Sequence, residues 1–569
     1  MINMLLSIPT RDRLDTISVF YPELTNMELS EKKDFLSKLI ASQYLDPFRE
    51  QLSRELVELA DIKALIPDVY SDFRTIVVDG ISFLLKRISE GRLKKLLVKQ
   101  ILLPKDTEPG ERLLAIAAAL PTLHKLGQII ARNKNIDTSF KKWLIKLESM
   151  IPEKFEIIDS VIAEIRKEQN GIYEILVDDQ PLAEASVGVV TGFKYRKLNS
   201  PDFSSGVFKI VKPDVELNLN EEIKIIDDLS DYFDKNREKY PLKNFKYRDV
   251  FDEIKDSLKA EINLLQEQKN LRAAKNIFQN QSKIGVPGVL HFSTEKVTAM
   301  ERVNGEKISR ATLDTFEASR FAEELYWNLF GKVLFSSEKS VIFHGDPHAG
   351  NIFVEKSENG KRIRILDWSQ TGSLTKLQRI NILQIALGIV TSNHNRISGA
   401  VLTLSKEPLK RLPFIEEKIL DTLNKFPANS FLMEKTMSVI DSLSLEGCAF
   451  PGELLWFRKS FFTLMGVITE LDESLDLDEI IFKHLRNYVL FELPERISGS
   501  ILLRSDKPER YQSMVTNLDL VSLLQCGIVD GLGKTINREF QRIGNISKSC
   551  IKLYSLPFSV SNFSTSTST

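Results

Sequence analysis

Hydrophobic residues recur at three- and four-residue spacing through roughly the first 170 positions, which is the spacing of one face of an α-helix. Examples are Leu36, Leu39 and Ile40, and further on Leu113, Ile116 and Leu120. Pro104, Pro109 and Gly110 interrupt this pattern. Because proline and glycine commonly end helices, the pattern predicts two successive helical segments, 1–108 and 109–170.

The pattern changes after Gly171. Short runs rich in β-branched residues and bounded by turn residues predict strands. These runs are 172–177, 189–194, 206–211 and 296–300. Helical spacing returns at about 217–239 and 246–280, and it dominates again from Leu313 onward. The stretch 352–366 is an exception, because Ser-Glu-Asn-Gly joins two apolar runs there as in a β-hairpin. This order of elements predicts an α+β fold.

We expect five parts along the chain. They are an N-terminal helical extension (1–108), a second helical segment (109–170), a small lobe that contains the strands (171–303), a mainly helical lobe (304–495), and a C-terminal helical region with a disordered tail (496–569). A chain of 569 residues is long enough for several such units, each with its own core.

Composition excludes several classes of protein. The 77 lysine and arginine residues balance the 78 aspartate and glutamate residues, so no nucleic acid is expected as a partner. The three cysteines, Cys448, Cys526 and Cys550, have no CxxC spacing, which argues against a disulfide scaffold and a structural zinc site. No run of 18 apolar residues occurs, so we predict no transmembrane helix and a cytoplasmic location.

The segment 81–103 is basic and rich in leucine. Its cationic residues are Lys86, Arg87, Arg92, Lys94, Lys95 and Lys99. A basic amphipathic helix can lie on an anionic membrane, which would place the protein peripherally at a membrane surface. A core helix with a solvated face explains the same pattern and is the preferred interpretation.

The segments HGDPHAGN and ILDW carry the candidate chemistry. Asp346 and Asn351 lie five residues apart in the first segment, and Asp367 ends the apolar run of the second. Phosphoryl transfer from a nucleotide uses one carboxylate to orient the acceptor, and an asparagine and a second carboxylate to hold Mg²⁺. This spacing is typical of a kinase catalytic loop and its magnesium aspartate.

A kinase fold also requires a lysine on an upstream strand. Lys209, in Val-Phe-Lys-Ile-Val, meets that requirement. The helix predicted after it carries Glu261 and Glu267 within apolar stripes on two different faces, at 100° per residue. A glutamate in an apolar stripe needs a partner, and Lys209 is one candidate.

An ordered series of segments resembles the UbiB/AarF family of atypical protein-kinase-like ATPases and kinases. The segments are KxGQ at 125–128, an alanine-rich nucleotide loop at 181–188, an ExD-like Glu-Ile-Asn at 261–263, a hinge at 300–305, HGDPHAGN, ILDW and a late segment at 454–477. The resemblance covers roughly residues 110–480. KxGQ alone would be weak evidence, but the complete order of motifs is specific.

The resemblance implies roles for individual residues. Asp346 would be the catalytic aspartate, Asn351 and Asp367 would hold Mg²⁺, and Lys209, with Glu267 as its partner, would contact the phosphates of ATP. Further ATP-binding residues would be Ala183, Ala185, Ser186 and Gly188 of the loop, and Glu301 and Val303 of the hinge. Lys125, with Gly127 and Gln128, would meet Glu261 and occlude the cleft where a protein substrate would lie.

The resemblance also implies a bilobal protein-kinase-like fold and the cofactors ATP and Mg²⁺. Members of the family are mostly linked to isoprenoid lipid and quinone biosynthesis, so the expected enzyme hydrolyses Mg-ATP or transfers its γ-phosphate, with a lipid-like or membrane-associated substrate. Two alternatives stay open. One is a small-molecule phosphotransferase of the aminoglycoside- or choline-kinase type, which Trp368 favours, and the other is a pseudokinase scaffold.

Four positions depart from the family pattern. Glu184 replaces an alanine and Val189 a glutamine at the nucleotide loop, Asn263 replaces the aspartate of ExD, and Ser369 replaces the glycine that usually follows the magnesium aspartate by two residues. A carboxylate near a triphosphate would repel it. These changes indicate a divergent member of the family.

Overall fold

The computed structural model describes most of the chain. The described residues are 8–66, 71–123, 125, 156–169, 172–184, 187–212, 215–240, 247–357, 360–405, 407–408, 411–427, 430–501 and 505–525. The chain divides into two compact units. Unit 1 comprises Met1–Glu306 and Phe353–Gln370, and unit 2 comprises Lys307–Ile352 and Thr371–Thr569.

Helices predominate throughout the described residues. In chain order they are α1 (Arg13–Phe20), α2 (Leu29–Ala41), α3 (Arg49–Leu59), α4 (Ile62–Leu65), α5 (Ser71–Arg87), α6 (Glu90–Leu102), α7 (Pro109–Ala119), α8 (Glu156–Glu168), α9 (Val215–Lys235), α10 (Tyr247–Ile262), α11 (Leu264–Phe278), α12 (Thr315–Tyr326), α13 (Lys376–Val390), α14 (His394–Ser405), α15 (Leu412–Asn424), α16 (Leu432–Leu445), α17 (Gly452–Leu471), α18 (Leu477–Ile501) and α19 (Asn517–Gln525). A π-helical turn, Trp327–Gly331, continues α12.

The strands form small sheets. In chain order they are β1 (Tyr173–Glu184), β2 (Gly188–Lys197), β3 (Ser204–Val211), β4 (Ile284–Gly285), β5 (Val297–Glu301), β6 (Gly305–Lys307), β7 (Ser340–His344), β8 (Ile352–Ser357), β9 (Gly360–Ile365) and β10 (Thr371–Thr375). One sheet has the order β1-β2-β3-β5, a second has the order β4-β9-β8-β6, and β7 pairs with β10. The α+β fold class is therefore confirmed.

The N-terminal helices of unit 1 share one apolar core with α9. Leu36, Leu52, Leu85, Leu93 and Ile116 are fully buried in it. The basic helix α6 contributes its apolar face to this core, through Leu93, Leu96, Leu97 and Ile101. The preferred interpretation of this segment, a core helix with a solvated face, agrees with that packing.

Most of the predicted basic surface is engaged in side-chain contacts within unit 1. Lys86 pairs with Glu50 at 2.9 Å, and Lys94 pairs with Glu90 at 2.7 Å. The guanidinium of Arg87 lies 3.5 Å above the ring centroid of Phe83. Arg92 pairs with two glutamates of α9, Glu221 and Glu222. Only Lys95 and Lys99, of the six predicted cations, lie exposed on the helix without such a described pair.

The β1-β2-β3-β5 sheet of unit 1 is antiparallel, and its buried face is aromatic. Phe193 on β2 stacks on Phe208 on β3 with ring centroids 3.8 Å apart, and Phe292 packs edge-on against Phe193. In the same register Lys209 lies between Val190 of β2 and Thr298 of β5. Side chains alternate along a strand, so Phe208 faces this core while Lys209 points to the opposite face.

Strand β1 is longer than the predicted 172–177. It continues to Glu184, with irregular register between Val177 and Pro181 and again between Pro181 and Ala183. The polar stretch Asp-Asp-Gln at 178–180 ends the alternation of apolar residues, so hydrophobic pattern alone ends the strand too early. The β-bulge keeps these polar residues in the strand and lets pairing resume.

The single helix predicted at 246–280 is two helices. The chain breaks at Asn263, which has φ −85° and ψ 74°, and whose side chain accepts a hydrogen bond from the Gln266 amide at 3.0 Å. Asparagine is a favoured N-cap because its short side chain satisfies a free amide of the first turn. The prediction that Glu261 and Glu267 share one helix was therefore wrong.

Unit 2 packs its helices around α12 and α17. Phe330, on the π-helical turn, stacks against Phe457 at 5.2 Å and contacts Phe461 at 4.7 Å. The short β7–β10 pair lies beside them, with His344 opposite Thr371. None of the helices in the described ranges is long and apolar enough to cross a lipid bilayer.

Candidate functional site

In unit 1 the structure places Lys209 between two carboxylates. Its Nζ lies 2.7 Å from Oε1 of Glu267 on α11 and 3.5 Å from Oδ1 of Asp367, which follows β9. The Glu267 side chain is 1% exposed and that of Lys209 is 12% exposed, whereas Asp367 is 36% exposed. The arrangement is a buried lysine–glutamate pair with a third, accessible charge beside it.

Burial and charge shift the titration of this pair. Burial raises the pKa of Glu267 to about 7, because Lys209 only partly offsets the loss of hydration and Asp367 adds repulsion. Burial alone would lower the pKa of Lys209, but Asp367 and Glu267 outweigh it and raise that pKa. The second oxygen of Glu267, Oε2, is buried and has no hydrogen-bond partner among the described residues.

A second lysine–glutamate pair lies in the same unit. Lys125 donates a hydrogen bond to Oε1 of Glu261 on α10, and their side chains are 3% and 12% exposed. Gly127 and Gln128, predicted in the same motif, lie outside the described residues. Because Asn263 separates α10 from α11, the two lysines contact two different helices.

A buried glutamate holds the chain just before Lys125. Glu222 on α9 is fully buried, and its carboxylate accepts a hydrogen bond from the Thr122 amide at 2.9 Å. The same carboxylate pairs with Arg92 of α6. The sequence carries one signal for this anchor, which is a glutamate within the apolar stripe of a helix, the same signal that marks Glu261 and Glu267.

The segment after Asp367 is held to the helices of unit 1. Asp367 has φ +50°, and its Oδ1 accepts hydrogen bonds from Ser369 Oγ at 2.6 Å and from Ser369 N at 3.2 Å. The carbonyl of Trp368 accepts from Asn270 Nδ2 on α11 at 2.9 Å. Gln370 donates to Ser257 of α10 at 2.7 Å. Four consecutive residues are thus anchored to neighbouring groups.

The predicted nucleotide loop joins β1 and β2. Ala183 lies exposed on β1, and Gly188 begins β2, where an added Cβ would lie 3.0 Å from the Ile210 carbonyl. Glycine therefore allows β2 to start close to β3. Ala185 and Ser186 lie outside the described residues, as does the side chain of Glu184.

The hinge residues have distinct environments. Glu301 ends β5, and its carboxylate contacts Lys275 at 2.9 Å, the Gly288 amide at 2.9 Å and Arg364 at 3.3 Å. Burial opposes ionisation, but these three donors outweigh it and keep the pKa of Glu301 below its ordinary value. The carboxylate is thus engaged within the protein. Val303 follows, half-buried, between β5 and β6.

In unit 2 Asp346 lies on a tight, hydrogen-bonded loop after β7. Its amide donates to Nδ1 of His344 at 3.1 Å, and its carbonyl accepts from the His348 amide at 2.9 Å. Nδ2 of Asn351 donates to the same carbonyl at 3.3 Å. Asp346 is 5% exposed. The loop therefore holds Asp346 and Asn351 in one local network.

Helix α17 supports this loop within unit 2. Ser460 donates to the His344 carbonyl at 2.6 Å. The indole of Trp456 lies so close to Gly345 that an added Cβ would sit 2.7 Å from its Nε1. Only glycine fits before Asp346 with this indole in place.

Comparison with known proteins identifies the domain. Residues 146–401 match the ABC1 atypical kinase-like domain. The chain carries an ABC1 atypical kinase-like domain. That domain contains Lys209, Glu267, Asp346, Asn351 and Asp367. The resemblance to the UbiB/AarF family is therefore confirmed.

The chain is also similar to several curated proteins. The chain is 28% identical over 484 residues to a "Probable protein kinase UbiB" of Photorhabdus laumondii, a match that covers 74% of this chain and 85% of that protein. A protein of the same name from Actinobacillus pleuropneumoniae is 26% identical over 304 residues, covering 52% of this chain and 54% of the relative. An "Uncharacterized protein in hydrogenase 1 5'region" of Clostridium pasteurianum is 21% identical over 378 residues, covering 64% of this chain and 68% of the relative.

A solved structure also matches the chain that carries this ABC1 domain. It is the complex of Rv3197 with erythromycin from Mycobacterium tuberculosis, at 14% identity and a TM-score of 0.35, covering 65% of this chain and 93% of that one. Some matches to UbiB proteins span only about half of the relative, as with the 54% of the Actinobacillus protein.

Proposed function

We propose that the protein binds Mg-ATP and either hydrolyses it or transfers its γ-phosphate to an acceptor. The observation that carries this proposal is the buried pair of Lys209 and Glu267 with Asp367 beside it. A lysine held by a helical glutamate next to an accessible aspartate is the arrangement that kinases use for the phosphates and Mg²⁺.

The residues of unit 1 fit a magnesium nucleotide. Glu261, Glu267 and Asp367 are three carboxylates near two lysines, and Oε2 of Glu267 is buried without a described partner. A divalent cation would add positive charge beside these carboxylates, and a polyphosphate would add negative charge beside these lysines. Asp367 would hold Mg²⁺, which neutralises charge on the phosphates when bound. Lys209 would contact the phosphates as a cation positioned by Glu267.

The residues of unit 2 fit the remaining roles. Asp346, fixed by hydrogen bonds at both its amide and its carbonyl, would orient the acceptor or accept its proton. Asn351 donates with Nδ2 to the Asp346 carbonyl, which leaves its amide oxygen as the hard ligand that Mg²⁺ prefers. Both assignments follow the resemblance of HGDPHAGN to a kinase catalytic loop.

The acceptor class is proposed from the family alone. A lipid-like or membrane-associated substrate is the first candidate, because relatives of the UbiB/AarF type are mostly linked to isoprenoid lipid and quinone biosynthesis. Trp368, the residue that favoured a small-molecule kinase, is 2% exposed and contacts Phe278 with ring centroids 6.2 Å apart. Its role in the structure is packing, so it adds no support for that alternative.

ADP production by the purified protein tests the proposal. The wild type is compared with Asp346→Asn, and with Asp252→Asn as a matched control, since Asp252 lies on α10 and pairs with Lys255 at 2.7 Å. Each is measured with and without anionic liposomes that contain an isoprenoid phenol. We expect turnover that Asp346→Asn abolishes and Asp252→Asn retains.

The liposome arm separates acceptor classes. A rise in turnover with liposomes supports a lipid-like or membrane-associated acceptor, and turnover indifferent to liposomes directs attention to soluble acceptors. Wild-type turnover no higher than that of Asp346→Asn in all conditions would refute an active enzyme and favour the pseudokinase alternative.

A further inference from the structure

Ser369 occupies the position at which kinases related to this fold usually have a glycine, and here its side chain has a specific contact. Oγ of Ser369 lies 2.6 Å from Oδ1 of Asp367, and the Ser369 amide lies 3.2 Å from the same oxygen. Ser369 is 6% exposed. A buried hydroxyl that donates to a charged oxygen makes a strong, short hydrogen bond.

We propose that Ser369 is a positioning residue for the carboxylate of Asp367, and that its hydroxyl sets the affinity of the protein for the divalent cation of the nucleotide. This inference rests on the proposed function, because it assigns Asp367 to the metal. It deepens that function by assigning a role to a residue that departs from the family pattern.

The charge geometry supports a positioning role. Oδ1 of Asp367 receives the Ser369 hydroxyl and amide and faces the Lys209 ammonium at 3.5 Å. Three donors converge on one oxygen, so the rotation of the carboxylate is restrained. A carboxylate that is already oriented loses less conformational freedom when a cation binds.

The backbone supports the same role. Asp367 has φ +50°, a conformation that non-glycine residues rarely adopt and that aspartate tolerates better than most. The residues on either side of Ser369 are anchored as well, because Asn270 donates to the Trp368 carbonyl and Gln370 donates to Ser257. With glycine at position 369 the hydroxyl contact would be absent and the segment would gain backbone freedom.

The same local structure occurs once more in the described chain, away from these residues. In unit 2, Ser474 donates to Oδ1 of Asp472 through Oγ at 2.6 Å and through its amide at 2.9 Å. Both residues are exposed or half-exposed at the end of α17. Ser474→Ala is therefore a matched control that removes an equivalent hydroxyl without touching Asp367.

Binding of Mn²⁺ tests the inference. Mn²⁺ takes hard oxygen ligands as Mg²⁺ does, and electron paramagnetic resonance measures its free and bound fractions in the presence of ADP. We expect Ser369→Ala and Ser369→Gly to raise the apparent Kd for Mn²⁺ about 10-fold, the low end of the effect of losing an outer hydrogen bond to a metal ligand. Ser369→Thr keeps a hydroxyl and should bind Mn²⁺ within about twofold of wild type. Ser474→Ala should equal wild type.

The outcomes separate this inference from the proposed function. Wild-type uptake of Mn²⁺ that Ser369→Ala leaves unchanged would overturn the role of Ser369 alone. Equal losses in Ser369→Ala and Ser369→Thr, with unchanged melting of the metal-free proteins, would attribute the effect to packing rather than to the hydroxyl and would also overturn it. A wild type that takes up no Mn²⁺ with ADP would instead refute the proposed function, and the metal role of Ser369 with it.

Discussion

Glu267→Gln should stabilise the nucleotide-free protein at alkaline pH while it weakens nucleotide binding. Glu267 is 1% exposed, and burial raises its pKa to about 7 from an ordinary 4.5. An acid with a raised pKa contributes stability below its unfolded-state pKa, and loses it as the pH rises toward the folded-state pKa. Glutamine resembles the protonated acid in shape and never ionises, so it avoids this loss.

The size of the effect follows from the pKa. Each pKa unit corresponds to about 1.4 kcal/mol, so ionising the buried Glu267 costs about 3 kcal/mol at pH 8 but below about 1 kcal/mol at pH 5. From pH 5 to pH 8, the free energy of unfolding of Glu267→Gln should therefore rise by about 2–3 kcal/mol relative to that of the wild type. For a unit of about 300 residues that corresponds to roughly 3–5 °C in Tm.

Thermal and urea denaturation at pH 5 and pH 8 provide the assay. The matched control is Glu216→Gln, which changes an exposed glutamate of α9 in the same unit and should show no such pH-dependent gain. A Glu267→Gln protein that is less stable than wild type at pH 8, and closer to wild type in stability at pH 5, would contradict this expectation. That result would mean that Lys209 stabilises the ionised form of Glu267 more than burial opposes it.

Three further predictions concern the metal, the N-terminal core and the membrane. Mg-ATP at about 100 times its Kd should stabilise the wild type by about 2.7 kcal/mol. In a thermal assay Asp367→Asn should lose this stabilisation and Asp252→Asn should keep it. An unchanged stabilisation in Asp367→Asn would show that Asp367 is not a metal ligand. Glu222→Gln should destabilise unit 1 by about 1–3 kcal/mol, because the buried contacts to Arg92 and the Thr122 amide lose a charged acceptor. The control Glu221→Gln changes a side chain that is 26% exposed and should cost less than half as much stability. Equal losses of stability in denaturation would contradict an anchoring role of Glu222. Replacing the exposed Lys95 and Lys99 with glutamine should leave co-sedimentation with anionic liposomes unchanged, because the apolar face of α6 is in the core. If this helix did contact the membrane, the affinity for the liposomes would fall about 30-fold, at ~1 kcal/mol per lysine.

The sequence predicted the fold class and the family, and both are confirmed. These predictions rest on local signals, namely the spacing of apolar residues and motifs whose members lie a few residues apart. Lys209 is an example, since a lysine within a short β-rich run needs no knowledge of distant residues. The structure shows which of the two glutamates it contacts.

The features that the sequence did not predict have two physical causes. The helix break at Asn263 and the continuation of β1 past Val177 depend on local hydrogen bonding and bulging that an apolar period does not report. The anchor at Glu222 joins residues about 100 positions apart, so an apolar stripe can mark Glu222 as buried but does not identify its partner. For Ser369 the sequence carries a signal, because Asp-x-Ser favours a side-chain-to-backbone turn, whereas the family pattern indicates only the loss of a glycine.

The helix break at Asn263 has a consequence for how the two lysine pairs respond to change. Rotation of α11 about its own axis would displace Glu267, and with it Lys209, without turning Glu261, because the helical hydrogen-bond pattern does not continue through Asn263. The contact of Lys125 with Glu261 is therefore positioned by a different helix from the one that positions Glu267. An asparagine at this position keeps the capping acceptor of an aspartate and removes one negative charge from a cluster already rich in carboxylates, so α11 is capped at a lower electrostatic cost.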